Sequence, residues 1–389
     1  MSFSDLNAEF FARFGNRDVK PVLFFCPGRV NLIGEHTDYN SGYVMPCAIG
    51  YGTYMAVRPS EDGLIKMASL NFITGSTFDH NSLLQPVKGS WTNYPAGVMA
   101  EFISRGIGFS GLEILFSGDI PNGAGLSSSA SIEMVTAFAL NTLLQAGLTT
   151  LDLVKLSQHA ENHFVGMNCG IMDQFAVGFG SRNSAIFLNC GTLDYEVVPF
   201  ATGNYRLLII NTNKQRGLTD SKYNERRAEC ETAVDMLQKY RRIESLSELD
   251  TGELPEMFKY LPDETIFRRA RHVVTENNRV RQAVKELKSG NLAGFGSLMN
   301  QSHDSLRDDY EVTGTELDTL VNETRKIDGV IGSRMTGAGF GGCTVTLIDS
   351  SRVNVLTETV NREYSRRTGL VPDFYMPELG DGPRLVMPD

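Results

Sequence analysis

The sequence predicts a two-domain protein in which helices and strands are mixed. Its 389 residues suffice for two packed cores, and 41% hydrophobic with 21% charged residues is ordinary globular composition. A strand, a glycine-rich loop and a long apolar helix follow one another between residues 112 and 147. Beyond Gly180 the pattern changes to closely spaced strands, which sets the expected domains at 1–180 and 181–389.

Composition also excludes partners. A formal net charge of -10 argues against nucleic acid or an anionic membrane surface, since either favours a basic face. Six cysteines form no C-x-x-C pair, and neither a secretory signal nor a bilayer-length apolar run is present. The expectation is a reduced, cytoplasmic monomer.

Taken in order, Leu6, Phe10, Phe11 and Phe14 share one helical face over residues 4–14, and Val22 to Phe25 reads as a strand. The stretch Cys26 to Gly42 then crowds Arg29, Asn31, Glu35, His36, Asp38 and Tyr39 between glycines. Carboxylates and a histidine converging in a glycine-bounded loop suit a polyhydroxylated ligand, with a solvated turn as the alternative. Strands at 51–57 and 64–70 and a helix at 93–105 are scaffold. Trp91, the only tryptophan, could stack on a base or sugar or belong to the core.

The loop Pro121 to Ser131 joins the strand 112–116 to the helix that ends near Gly147. Gly123 and Gly125 permit close backbone approach, and the unpaired N–H groups of the helix start favour an anion. One serine would suffice as a helix cap; three consecutive hydroxyls and two glycines exceed that need, so a phosphate site is expected. It is not a Walker loop, because no lysine lies between Gly118 and Lys155.

Asp152 is the expected cap of a helix reaching Phe164 that carries His159 and His163. A zinc hydrolase would need Glu after the first histidine, where Ala160 stands. Glu161, near the edge of the apolar stripe, could face solvent or meet a hard cation. Asp173 is the single acid in the run 168–180 and is either a cap or a base in a dry site. Strands follow at 185–189, 193–198 and 206–210, then a helix capped by Ser221 through about Arg241 and further charged helices to Gly290. Gly337, Gly339 and Gly342 spell G-x-G-x-x-G, but a strand pattern (343–348) follows instead of a helix, so a glycine hinge packed on another loop is expected. A helix at 353–367 and a strand at 373–376 follow.

The three glycine-centred stretches, in this order and separation, resemble the GHMP kinases, and Gly28 to Gly42 with its Gly-Glu-His-Thr-Asp core is similar to the signature of the galactokinase branch. The similarity extends to Ser221 to Arg226 and Met335 to Gly342; Cys26 departs from the smaller residue usual before Pro-Gly-Arg. The resemblance implies an α+β fold: a mixed-sheet N-terminal domain, an antiparallel-sheet C-terminal domain and an active site in the cleft between them. It implies transfer of the γ-phosphoryl group of ATP to the 1-hydroxyl of galactose. Asp173 would then be the base and Arg29 its partner. Ser129 and Glu161 would hold Mg²⁺, and Gly123, Ala124, Gly125, Leu126, Ser127, Ser128 and Ser129 would wrap the triphosphate. Glu35, His36, Thr37, Asp38 and Tyr223 would line the sugar site with Gly170 at its edge, and Ser69 and Trp91 would touch the nucleotide. Two alternatives remain: a sugar sensor that binds both ligands without turnover, and a kinase for a related sugar such as N-acetylgalactosamine. The intact Ser129-Ala130-Ser131 favours the enzyme over the sensor.

Overall fold

The computed structural model describes residues 3–79, 82–121, 125–214 and 219–387. Helix α1 (Phe3–Phe14) is followed by the strands β1 (Val22–Asn31), β2 (Tyr43–Val44), β3 (Pro46–Pro59), β4 (Ile65–Ser69) and β5 (Ser76–Phe78). Then come α2 (Asn93–Ser104), β6 (Leu112–Gly118), α3 (Ser128–Leu143), α4 (Thr150–Ala160) and α5 (Met172–Gly178). Strands β7 (Ser184–Asn189), β8 (Tyr195–Pro199) and β9 (Tyr205–Asn211) precede the helices α6 (Thr219–Leu237), α7 (Leu254–Tyr260), α8 (Glu264–Lys288), α9 (Leu292–Asp308) and α10 (Gly314–Thr324). The remaining elements are β10 (Val330–Thr336), β11 (Cys343–Asp349), α11 (Val353–Thr368), β12 (Asp373–Tyr375) and β13 (Arg384–Val386).

The strands form a six-stranded sheet in the order β13-β1-β3-β6-β4-β5, a four-stranded sheet β10-β11-β9-β12 and a ribbon β2-β7-β8. The first sheet is mixed, because β4 runs parallel to β6 while its other pairs are antiparallel; the second is antiparallel throughout. The expected α+β architecture is therefore present. β7 pairs with β2 and β13 with β1, so residues beyond 180 also complete the N-terminal half.

Three of the five hydrophobic clusters among the described residues explain the layers around the site. Met55, Ile114 and Phe116 of the mixed sheet pack with Met134 and Leu140 of α3 and Leu156 of α4. On the opposite face, Leu6 and Phe10 of α1 cover Leu23, Ala56 and Leu115, as the helical face in the sequence anticipates. A third cluster joins Val30 of β1 and Leu32 just beyond it to Ile209, Val280 and Val345, so one continuous core crosses from the first half to the second.

Several local expectations need correction. β1 does not stop at Phe25 but continues to Asn31 with an irregularity at Pro27/Gly28, where the missing proline N–H would interrupt a regular ladder. A side chain at Gly28 would sit 2.7 Å from the Leu126 carbonyl, so this glycine lets β1 pass beside the glycine-rich loop before α3. Asp152 is the third residue in a capping box whose cap is Thr149, and α4 ends at Ala160 in a π-helical turn (Glu161–Val165). Ser221 lies inside α6, which starts at Thr219.

Candidate active site

The strand β1 aims Arg29 into a cavity of about 460 Å³ between the two halves. Arg29 Nε donates to Asp173 Oδ1 at 2.8 Å and Nη2 to Oδ2 at 2.9 Å, a bidentate fork that fixes both planes. Its Nη1 donates to the Gly125 carbonyl at 2.7 Å, and its backbone N–H to Leu126 O at 3.2 Å. One buried arginine thereby ties the first glycine stretch to the second and to the acid of α5. Asp173 is the second residue of α5 and its carboxylate makes no cap.

Ser127, which precedes α3, is left-handed (φ 60°) and also makes no side-chain cap. Its hydroxyl instead donates to Asp173 Oδ2 at 2.5 Å. Ser128 and Ser129 border a smaller cavity of about 140 Å³ lined by Ser69, Phe72 and Trp91. Trp91 stacks on Phe72 and donates its indole N–H to Thr74 O, while the buried Ser69 hydroxyl accepts from the Asn71 N–H. Leu126 is a core side chain, so any ligand contact from it must come from its backbone. Gly123 and Ala124 lie outside the described residues.

The sugar signature is split by the fold. Glu35, His36 and Asp38 line the large cavity, as do Glu161, Gly170, Asp173 and Tyr223. Thr37 does not: its hydroxyl faces the Gly34 and Tyr43 carbonyls at 2.9 and 2.8 Å and closes the turn. Glu35 Oε1 accepts from Thr336 Oγ1 and the Gly337 N–H, both at 2.9 Å, with Arg334 at 3.4 Å. The second half of the chain thus orients a carboxylate of the first. His36 Nδ1 meets the Tyr39 hydroxyl at 2.8 Å, and burial, helped by nearby His272, lowers its pKa to about 3, so the ring is neutral. Asp38 is pushed up to about 7 by burial first and by the charge of Asp173 second. A side chain on Gly170 would meet Asp38 Oδ2 at 2.0 Å, so only glycine leaves that carboxylate in place. The expected glycine hinge is present too: Gly337 and Gly339 have φ of 86° and 80°, and a side chain at Gly337 would face Gly125 O at 3.4 Å.

Glu161 is buried at the start of the π turn. Burial, then Asp173, raises its pKa, against hydrogen bonds from Cys169, Ser129 and Gln174 that lower it. Two residues escaped sequence reasoning here, Glu133 and Gln174: the Gln174 amide nitrogen donates to Glu161 Oε2 at 2.5 Å and to Glu133 Oε2 at 3.0 Å. The available signal was the one that marked Asp173, a single acid in an otherwise apolar stretch of α3.

Set against known proteins, the galactokinase galactose-binding signature matches residues 8–59, and the GHMP kinase N-terminal and C-terminal domains match residues 93–181 and 283–366. The galactokinase of Clostridium beijerinckii is 50% identical over 379 residues, covering 97% of each chain. This chain belongs to the galactokinase family. Another family member, from Fusobacterium nucleatum, is 51% identical over 363 residues, covering 92% of this chain and 93% of its own. The crystal structure of Lactococcus lactis galactokinase complexed with galactose superposes with a TM-score of 0.95 at 44% identity, covering 98% and 99% of the two chains. Methanococcus jannaschii mevalonate kinase shares the fold alone, with a TM-score of 0.69 at 18% identity, covering 94% and 100%.

Proposed function

We propose that this chain transfers the γ-phosphoryl group of ATP to the 1-hydroxyl of galactose, giving galactose 1-phosphate and ADP. As a galactokinase family member with both GHMP kinase domains it is an ATP-dependent sugar kinase. The observation that carries the residue roles is the three-way contact of Asp173 with Arg29 and Ser127, which joins a candidate base to the start of the phosphate loop helix. Asp173 accepts the proton of the 1-hydroxyl as it attacks; Arg29 holds the carboxylate in register and balances charge at the transition state. Glu35, Asp38 and Tyr223 orient the sugar, and His36, neutral and packed at a tilt against the Tyr223 and Tyr310 rings, shapes the wall behind it. The base of ATP occupies the small cavity beside Trp91 and Ser69, so the triphosphate crosses Ser127, Ser128 and Ser129 toward Asp173.

The donor set suits Mg²⁺. The carboxylate of Glu161 with the hydroxyl of Ser129 is an all-oxygen pair, and Glu161 feels the like charge of Asp173. When bound, the ion neutralises phosphate charge. Residues 1–180 and 181–389 are taken as the two domains that flank the cleft, in a cytoplasmic monomer.

The test is ADP release with Mg·ATP across galactose, glucose and N-acetylgalactosamine. Turnover with galactose in preference to the other two is expected. Folded protein that binds galactose and ATP without releasing ADP would instead be a sensor.

A further inference from the structure

Gln174 is fully buried, as is Glu133, and its single amide nitrogen spans two acids. Both hydrogens are committed, one to Glu161 Oε2 and one to Glu133 Oε2. Reversing the amide would turn its oxygen toward two acceptor groups, so the acids fix its orientation. Glu161 Oε2 also accepts from the Cys169 thiol at 3.3 Å. That oxygen is therefore held from two sides, which fixes the plane of the carboxylate. Glu133 stands four residues after Ser129 on α3, so both project from one helix face: Ser129 reaches Glu161 directly and Glu133 reaches it through the amide.

We propose that Gln174 and Glu133 are positioning residues for the divalent cation, holding the Glu161 carboxylate so that it binds through one oxygen beside Ser129. The inference rests on the metal role given to Glu161 above. Partners of this kind around a ligand typically carry about 10- to 100-fold in metal affinity or activity, because a carboxylate free to rotate loses its preset geometry. Gln174 directly follows Asp173 in α5, so one helix turn sets both the base and the metal ligand. An error in the seating of α5 would disturb the two together.

Binding of Mn²⁺ in the presence of ADP, read by electron paramagnetic resonance without turnover, tests this. Gln174→Met keeps the length and removes the donor; Mn²⁺ affinity should fall by about 10- to 100-fold while metal-free galactose affinity stays at its starting value. Glu133→Leu should weaken Mn²⁺ in the same direction, and Glu133→Gln, which still offers an acceptor to the amide, should restore it. Full Mn²⁺ affinity in Gln174→Met would overturn the proposal, as would equal losses in Glu133→Leu and Glu133→Gln. The Glu133 pair decides the matter if Gln174→Met does not fold. Glu161→Gln separates the levels: unchanged Mn²⁺ affinity there removes the metal role of Glu161 itself, whereas a loss there with none in Gln174→Met removes only the positioning role.

Discussion

Asp173 and Glu161 line the same cavity, yet the protein treats them in opposite ways. Asp173 receives the guanidinium fork of Arg29 and the hydroxyl of Ser127. Glu161 is acted on by neutral donors from Cys169, Ser129 and Gln174 and by the like charge of Asp173. The first acid has its counter-charge built into the fold; the second has charge to share with something that arrives. A buried carboxylate left without a cation is destabilising, and folds retain such groups mainly where a ligand completes them. Under the proposed function, this contrast would give proton transfer to one wall of the cleft and cation capture to the other.

Removing the charge of Asp173 should break this contrast most severely. Asp173→Asn cannot accept a proton at neutral pH, and turnover per folded molecule should fall by about 10²- to 10⁴-fold in an ADP-release assay. Asn also leaves Arg29 without a charged partner, so thermal or chemical denaturation should register a loss of about 1.5–3 kcal/mol, the range for hydrogen bonds to charged groups. A helix-cap role, which the sequence allowed, would leave turnover intact.

Arg29→Lys tests the fork rather than the charge. A lysine ammonium is a point donor and cannot hold both carboxylate oxygens and Gly125 O together, so a base misplaced by about 1 Å should lose on the order of 10²-fold in kcat. Wild-type turnover in the lysine variant would mean that the cation alone matters.

On the opposite wall, Glu161→Gln should raise the Mg²⁺ concentration needed for half-maximal turnover by about tenfold or more while metal-free galactose affinity holds. An unmoved Mg²⁺ titration would return Glu161 to a structural carboxylate.

Asp38 is the intermediate case, and its effect is the smallest. Its pKa, raised to about 7 by burial, means the free protein is protonated there below pH 7. A sugar hydroxyl donates best to the ionised form, so KM for galactose should rise as pH falls, by roughly tenfold between pH 8 and pH 6. The stability term has the opposite sign. A folded pKa above the unfolded one favours the folded state in acid, and that contribution disappears as pH rises through about 7. A galactose KM flat from pH 8 to 6 would count against Asp38 as an acceptor.

Most of the architecture was legible because hydrophobic periodicity is local. The face of α1, the strand before the phosphate loop and the helix after it could be read from their own residues. The short strands β2 and β13 could not, because two or three residues carry no period and their pairing is decided by distant chain. The site divides in the same way. Glycine-bounded clusters of polar residues mark Arg29, Glu35, Asp38 and the serines, and family resemblance raised Asp173 and Glu161 above a surface acid or a cap. What stayed hidden were partners set by tertiary contact: the clamp of Arg334 and Thr336 on Glu35, and the Glu133–Gln174 bridge. Thr37 shows the reverse error, since a signature residue can be there to close the turn that presents its neighbours.

The pairing of β13 with β1 has a consequence during synthesis. Val386, Leu385 and Arg384 cover the outer edge of Leu23, Phe24 and Phe25, but they are translated roughly 360 residues later. At about 5–20 residues per second the ribosome leaves that edge open for on the order of 20–70 s, with a run of aromatic residues beside unpaired backbone groups. Through that interval the strand that will carry Arg29 is a sticky edge on a nascent chain. Chaperones that shield exposed strands should therefore raise the yield of this protein more than its ordinary charge content would suggest.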